Sequence, residues 1–195
     1  VLPFSRHFPR PEESANWRAC EQWIPHALAI LDACERFQFV DDASARLHNQ
    51  VALYLDAHTQ DPRAELLFKR AIDRRRRLNA SAGADTGNCA NLGAALCNLA
   101  SLYIDRGELK NVEPLMREAV STIEKREGPD SPFLAMPLMK QAQWLRFCGR
   151  SGEAVQTAQR AMQLIKKDHR LFLQHGAEMS MEYAMGLWVC GRATE

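Results

Sequence analysis

Apolar residues recur along this chain in blocks with helical internal spacing, and the blocks themselves repeat 42 to 49 residues apart. Asn49-Gln50-Val51-Ala52-Leu53-Tyr54 returns as Asn98-Leu99-Ala100-Ser101-Leu102-Tyr103 and, more loosely, as Lys140-Gln141-Ala142-Gln143-Trp144-Leu145. A second block follows each copy: Ala64 to Ala71, Val112 to Ala119 and Ala154 to Ala161. Apolar positions three and four apart mark one face of a helix. Two such helices repeated at this period predict stacked helical hairpins, each burying its apolar face against the next. Alanine falls where two helices cross closely: Ala52, Ala100 and Ala142 in the leading helices, Ala64, Val112 and Ala154 in the trailing ones. A larger side chain there would push the helices apart at about 1–3 kcal/mol. Tyr54, Tyr103 and Leu145, with Leu47, Leu96 and Leu138 two turns earlier, are expected core positions between hairpins.

The punctuation places the elements. Residues 1–13, with Pro3, Pro9 and Pro11, predict an extended lead-in. Trp17, Cys20, Trp23, Ile24, Ala27, Leu28 and Leu31 predict a helix within 14–38, with Pro25 kinking it. Ala27 aligns with Ala71, Ala119 and Ala161, so this is a trailing helix without its leading partner. Full hairpins are expected at about 42–78, 88–127 and 131–167, and a last leading helix at 170–190. Asp61-Pro62 starts one trailing helix with a cap residue and a first-turn proline. Residues 79–87, small and polar, predict the one long loop. Arg106-Gly107-Glu108 and Gly149-Arg150-Ser151-Gly152 predict tight turns. Gly128-Pro129-Asp130-Ser131-Pro132 predicts a left-handed glycine stop followed by a capped start. Both end helices are then expected to expose an apolar face that a neighbouring repeat would cover, and self-association follows as one consequence. The chain starts at Val1 without a recognisable terminus and reads as a fragment of a longer protein.

Composition narrows the function. The chain has 195 residues and a net charge of +1, so no global field draws it to nucleic acid or to an anionic membrane. Its apolar runs are too short to span a bilayer, and no signal peptide is visible. Six cysteines lie at 20, 34, 89, 97, 148 and 190, without a Cys-x-x-Cys pair or a histidine at zinc-finger spacing. They read as reduced thiols of a cytoplasmic protein, most of them small hydrophobes on helical stripes. No phosphate-binding loop, nucleophile elbow or His-Glu-x-x-His motif is present, so neither an enzyme nor a cofactor is expected. An enzyme or metal protein on a helical scaffold is the alternative of a different class. Arg74-Arg75-Arg76-Arg77 points around a helix and predicts a solvated end near the favourable C-terminal dipole. His26, after Pro25, is expected to be a satisfied structural histidine.

Small and large residues alternating over paired helices resemble tetratricopeptide repeats. The 42-residue period, Asn98 to Tyr103 and Gly128 to Pro132 resemble the kinesin-light-chain-like subtype. The resemblance covers about 42–190; Lys140 and Leu145 depart from it, as does the first repeat, whose internal turn is longer. It implies an all-α, right-handed α-solenoid of three full repeats with a half-hairpin at each end. Phe8-Pro9-Arg10-Pro11 with Trp17, Cys20 and Trp23 to Ala27 is similar to the segment preceding such repeats in NLR-like (NB-ARC/NACHT) signalling ATPases. That implies a sensor region binding a protein or peptide partner. A kinesin-light-chain-like cargo adaptor and an oligomerisation scaffold are the runners-up.

Leading helices would line the concave groove of such a stack. Reading by register puts Asn49, Asn98, Lys140 and Glu182 in one row and His48, Cys97, Met139 and Met181 in a second. Met136 and Glu178 extend a third, Ser101, Gln143 and Met185 a fourth. Asn49, Asn98 and Lys140 match part of the arrangement by which some such domains clamp a peptide carboxylate. The further basic positions are Ala45, Ala94 and Met136 here, which argues against a clamp and for a general hydrogen-bonding role. Met136, Met139, Met179, Met181 and Met185 are expected to gather at one end of the groove, where flexible thioethers suit adaptable apolar recognition.

Overall fold

A computed structural model describes residues 8–11, 14–81 and 86–191. Among them there is no strand, and eight α-helices follow one another. They are α1 (Trp17–Arg36), α2 (Asp42–Thr59), α3 (Arg63–Ser81), α4 (Thr86–Asp105), α5 (Val112–Glu127), α6 (Ala135–Phe147), α7 (Ser151–Ile165) and α8 (His169–Val189). Three-residue 3₁₀ turns precede α1, α5 and α6. The fold is all-α, built of neighbouring helix pairs as the periodicity requires. The chain divides into two compact units, 1–88 and 89–195, with the boundary in the first turn of α4.

In the first unit α2 and α3 form a hairpin and α1 packs on α2. Ala52, Ala64, Ala71 and Ala27 are all at 0% exposure, so the small residues do mark the crossings. Asp41 caps α2 by accepting from Ser44 N, while the Ser44 hydroxyl accepts from Asp41 N. Asp61 accepts from Arg63 N at the start of α3, immediately after Pro62. The lead-in fastens to α1: Trp17 Nε1 donates to Pro11 O and Cys20 Sγ to Pro9 O, with Phe8 buried. Residues 1–7 lie outside the described residues.

Four expectations need correction here. Helix α1 runs unbroken through Pro25 from Trp17 to Arg36. Of its expected apolar face only Cys20, Ala27 and Leu31, with Cys34, are buried; Trp23 and His26 are exposed. The first hairpin does not have a longer turn; α2 instead ends at Thr59, later in the repeat register than α4 at Asp105 or α6 at Phe147, and His58 in its last turn packs on Tyr54 and on Trp17 at ring-centroid distances of 4.9 and 4.4 Å. The long loop at 79–87 is also shorter than expected. α3 extends to Ser81 and α4 begins at Thr86, since Asn, Ala and Ser tolerate a helix already nucleated by its packed core; only 82–85 lie outside the description.

In the second unit α5 packs on α6, α6 on α7, and α7 on α8. Gly93 lets α4 approach α5, since a Cβ there would stand 2.8 Å from Ile123 Cδ1. Ile123, Leu134, Leu138, Met139, Leu164 and Met179 anchor a continuous core across α5, α6, α7 and α8. Gly107 and Gly149 turn the two hairpins at φ +74° and +76°. Ser151 and Gly152 already belong to α7. Gly128 stops α5 at a positive φ of +86° that favours glycine, with ψ at 169°, and Ser131 then caps by accepting from Phe133 N.

Candidate functional site

The leading helices of the second unit, α4, α6 and α8, carry most of the expected contact residues. Asn98 and Ser101 on α4 and Lys140 and Gln143 on α6 are half-buried. They lie at i, i+3 spacing, so each pair shares a helix face. On α8 Met181 is 61% and Met185 39% exposed. Lys140 Nζ reaches Glu178 Oε1 at 3.1 Å, and Arg146 Nε reaches Glu182 Oε1 at 2.7 Å, so two ion pairs tie α6 to α8. The register pairs Lys140 with a residue one turn before its row-mate Glu182. Lys140 and Glu182 are therefore half-buried structural partners first, not free charges awaiting a ligand. Arg146 and Glu178 complete this ladder. Sequence reasoning did not put Arg146 in the groove, because it stands 36 residues before Glu182, off the 42-residue register that defined the rows.

Two expected groove residues face inward. Met139 is 2% exposed and belongs with Met179 to the core, with Met136 packed against it. The methionines thus divide: the α6 pair and Met179 fill the core between hairpins, and Met181 and Met185 face out. Cys97 is buried, and burial pushes its thiol up to about 12, so it stays protonated and inert.

His48 is the other. On α2 in the first unit it has no exposure at all. Its Nδ1 stands 2.7 Å from Ser44 O, a carbonyl that can only accept, so Nδ1 carries the proton. Nε2 lies 3.3 Å from Glu35 Oε1. Burial pushes the ring down to about 4, with Arg74 adding to the effect, so it is neutral near pH 7. Asn49 beside it is half-buried, and the neighbouring Arg46 Nε and Gln50 Oε1 are buried without a hydrogen-bond partner.

The arginine run also differs from expectation. Arg74 and Arg75 are each 5% exposed. Arg74 donates to Glu35 at the end of α1, 2.6 Å away, and Arg75 to Asp42 at the start of α2. Arg77 stays in water, paired with Asp73 within α3. Four residues spanning more than a helical turn cannot share one environment. Two guanidiniums therefore staple α3 to its neighbours. Burial works against ionisation of Glu35, yet Arg74, by charge and hydrogen bond, and Arg70 hold its carboxyl below the ordinary value.

Among the described residues no group of histidine, cysteine and acidic side chains is placed to hold a metal ion. No helix among them is long and apolar enough to cross a membrane.

With this geometry in place, the comparisons are specific about fold. Residues 92–133, one 42-residue period across α4 and α5, match the tetratricopeptide repeat family. The chain is similar to the crystal structure of BtubC (BKLC) from P. vanneervenii, with a TM-score of 0.66 and 14% identity, over 92% of this chain and 68% of that one. At that identity the likeness establishes the fold alone. No curated protein matches the chain in sequence. Tetratricopeptide repeats are protein–protein interaction scaffolds, generally without catalysis.

Proposed function

We propose that this chain is a non-catalytic interaction module that takes a peptide or helix of a partner protein along its leading-helix faces. The observation supporting this reading is that successive leading helices of the second unit carry half-buried polar side chains, Ser101 on α4 and Gln143 on α6, and exposed thioethers, Met181 and Met185 on α8. Polar groups fix the register of a bound backbone, and flexible apolar groups adapt to its side chains. Lys140 and Glu178 give the face its polarity.

The test separates structure from recognition. Lys140→Glu alone sets two acids against each other and should lower stability by about 0.5–1 kcal/mol. Lys140→Glu with Glu178→Lys restores the pair with reversed polarity. Restored stability with lost partner capture supports the reading; capture equal to wild type by the double variant moves the site elsewhere.

Within that class we propose the sensor region of an NLR-like signalling ATPase. Its support is the lead-in segment, which is fastened to α1 through Pro9, Pro11, Trp17 and Cys20. A kinesin-light-chain-like adaptor is the second reading, favoured by the 42-residue period. The gene upstream of Val1 separates them: a phosphate-binding loop supports the first, coiled-coil heptads the second.

A further inference from the structure

A groove of about 360 Å³ lies in the second unit between the trailing helices α5 and α7, over one face of α6. Gln141 lines it and points about 200° around α6 from Gln143, so the groove is separate from the leading-helix face. Its floor is apolar. Met116 and Leu145 are buried, and Val120 is half-buried. Trp144 keeps 7% exposure, and its indole is fixed because Nε1 donates to Leu109 O at 2.8 Å.

Charge at the rim is already balanced. Arg117 meets Glu113 within α5 at 2.5 Å, and Arg150 meets Glu153 within α7 at 2.6 Å. Arg160 reaches from α7 to Glu124 on α5, 2.9 Å away, and clasps the two walls together. A charged ligand would leave its own charge unmatched or break one of these pairs, so the groove favours a neutral one. The hydroxyls are in use as well: Ser121 Oγ donates to Glu118 O and Thr157 Oγ1 to Glu153 O. The Gln141 carboxamide differs. It is half-buried and makes no side-chain hydrogen bond among the described residues. Hairpin packing does not demand an amide there, since Leu99 fills the same register position on α4 and is buried. A carboxamide offers a donor and an acceptor together, which one peptide group can satisfy, while the apolar floor takes the neighbouring side chain.

We infer that the groove between α5 and α7 binds a neutral, apolar residue in an extended segment of a polypeptide. The side chain lies over Val120 and Trp144, and the backbone amide pairs with Gln141.

Titration of the isotope-labelled chain with N-acetylphenylalaninamide tests it, read by NMR at the indole N–H of Trp144, whose signal is assigned by its loss in Trp144→Phe. The comparison ligands are N-acetylphenylalanine, an anion, phenethylammonium, a cation, and ethylbenzene, which lacks the amide. Gln141→Leu removes the carboxamide and copies the residue α4 carries at this position; far-UV circular dichroism checks its helicity. A saturable shift with the amide, weaker for all three comparison ligands and weakened about fivefold in Gln141→Leu, supports the site. No saturable shift, equal binding of either charged ligand, or unchanged affinity in Gln141→Leu overturns it. Ethylbenzene binding as tightly as the amide also overturns it, by showing an apolar cavity that does not recognise a peptide.

Discussion

Arg74 and Arg77 are three residues apart on one helix and live in different media. Arg74 is buried and reaches another helix; Arg77 is exposed and pairs with Asp73 on its own. Arg74→Ala leaves Glu35 facing a lost partner and should cost about 1–2 kcal/mol, discounted because Glu35 is one-third exposed. Arg77→Ala should change stability by less than about 0.5 kcal/mol. Urea unfolding of the two variants checks this, and equal losses would contradict the assignment. His48 gives a pH signature. Its folded value lies near 4, below the ordinary 6.5, so the unfolded chain binds its proton more readily. Stability is fully present above about pH 6.5 and falls as pH drops toward 4, by an amount on the order of 3 kcal/mol. Thermal melts across that window should show the loss in wild type and less of it in His48→Leu; parallel slopes would contradict a neutral buried ring. Glu35, depressed below its ordinary value, loses its contribution only as pH falls through that lower value.

Helix positions were legible because alanine and leucine at fixed offsets state which faces touch; Ala27, Ala64, Ala119 and Ala161 are all fully buried. Helix ends were less legible, since capping and tertiary packing decide them. Where hairpins two and three turn on glycine, the first turns on Gln60, which holds a left-handed φ of 48°. His58 stacking draws α2 past the point where a glycine stop would otherwise fall. Gln60→Gly should therefore stabilise the first unit by about 1 kcal/mol, read as a raised thermal midpoint; a lowered midpoint would mean Gln60 has a role beyond the turn. Side-chain environments were the least legible. Register alone set His48 and Met139 beside Asn49 and Lys140, although neighbours on a leading helix point 100° apart, one to the core and the other outward. The arginine run failed for a related reason: a sequence does not disclose which acids, here Glu35 and Asp42, wait across a helix boundary.

At the scale of the molecule, near-neutral net charge leaves recognition to local features. On α8, Leu173 and Trp188 are 71% and 74% exposed, with no further helix after α8 among the described residues. We propose that a second copy of the chain covers them. Trp188→Arg should shift sedimentation toward the monomer at tens of micromolar; an unchanged distribution, or a monomeric wild type, would sink that reading.

Recognition along the leading helices is tested most directly by a photo-crosslinking residue placed at Gln143 on α6, and separately at Gln156 on α7, in the presence of the bound partner. Crosslinks from position 143 and none from 156 are the expected result. Capture from 156 with silence at 143 would contradict binding on the leading-helix face.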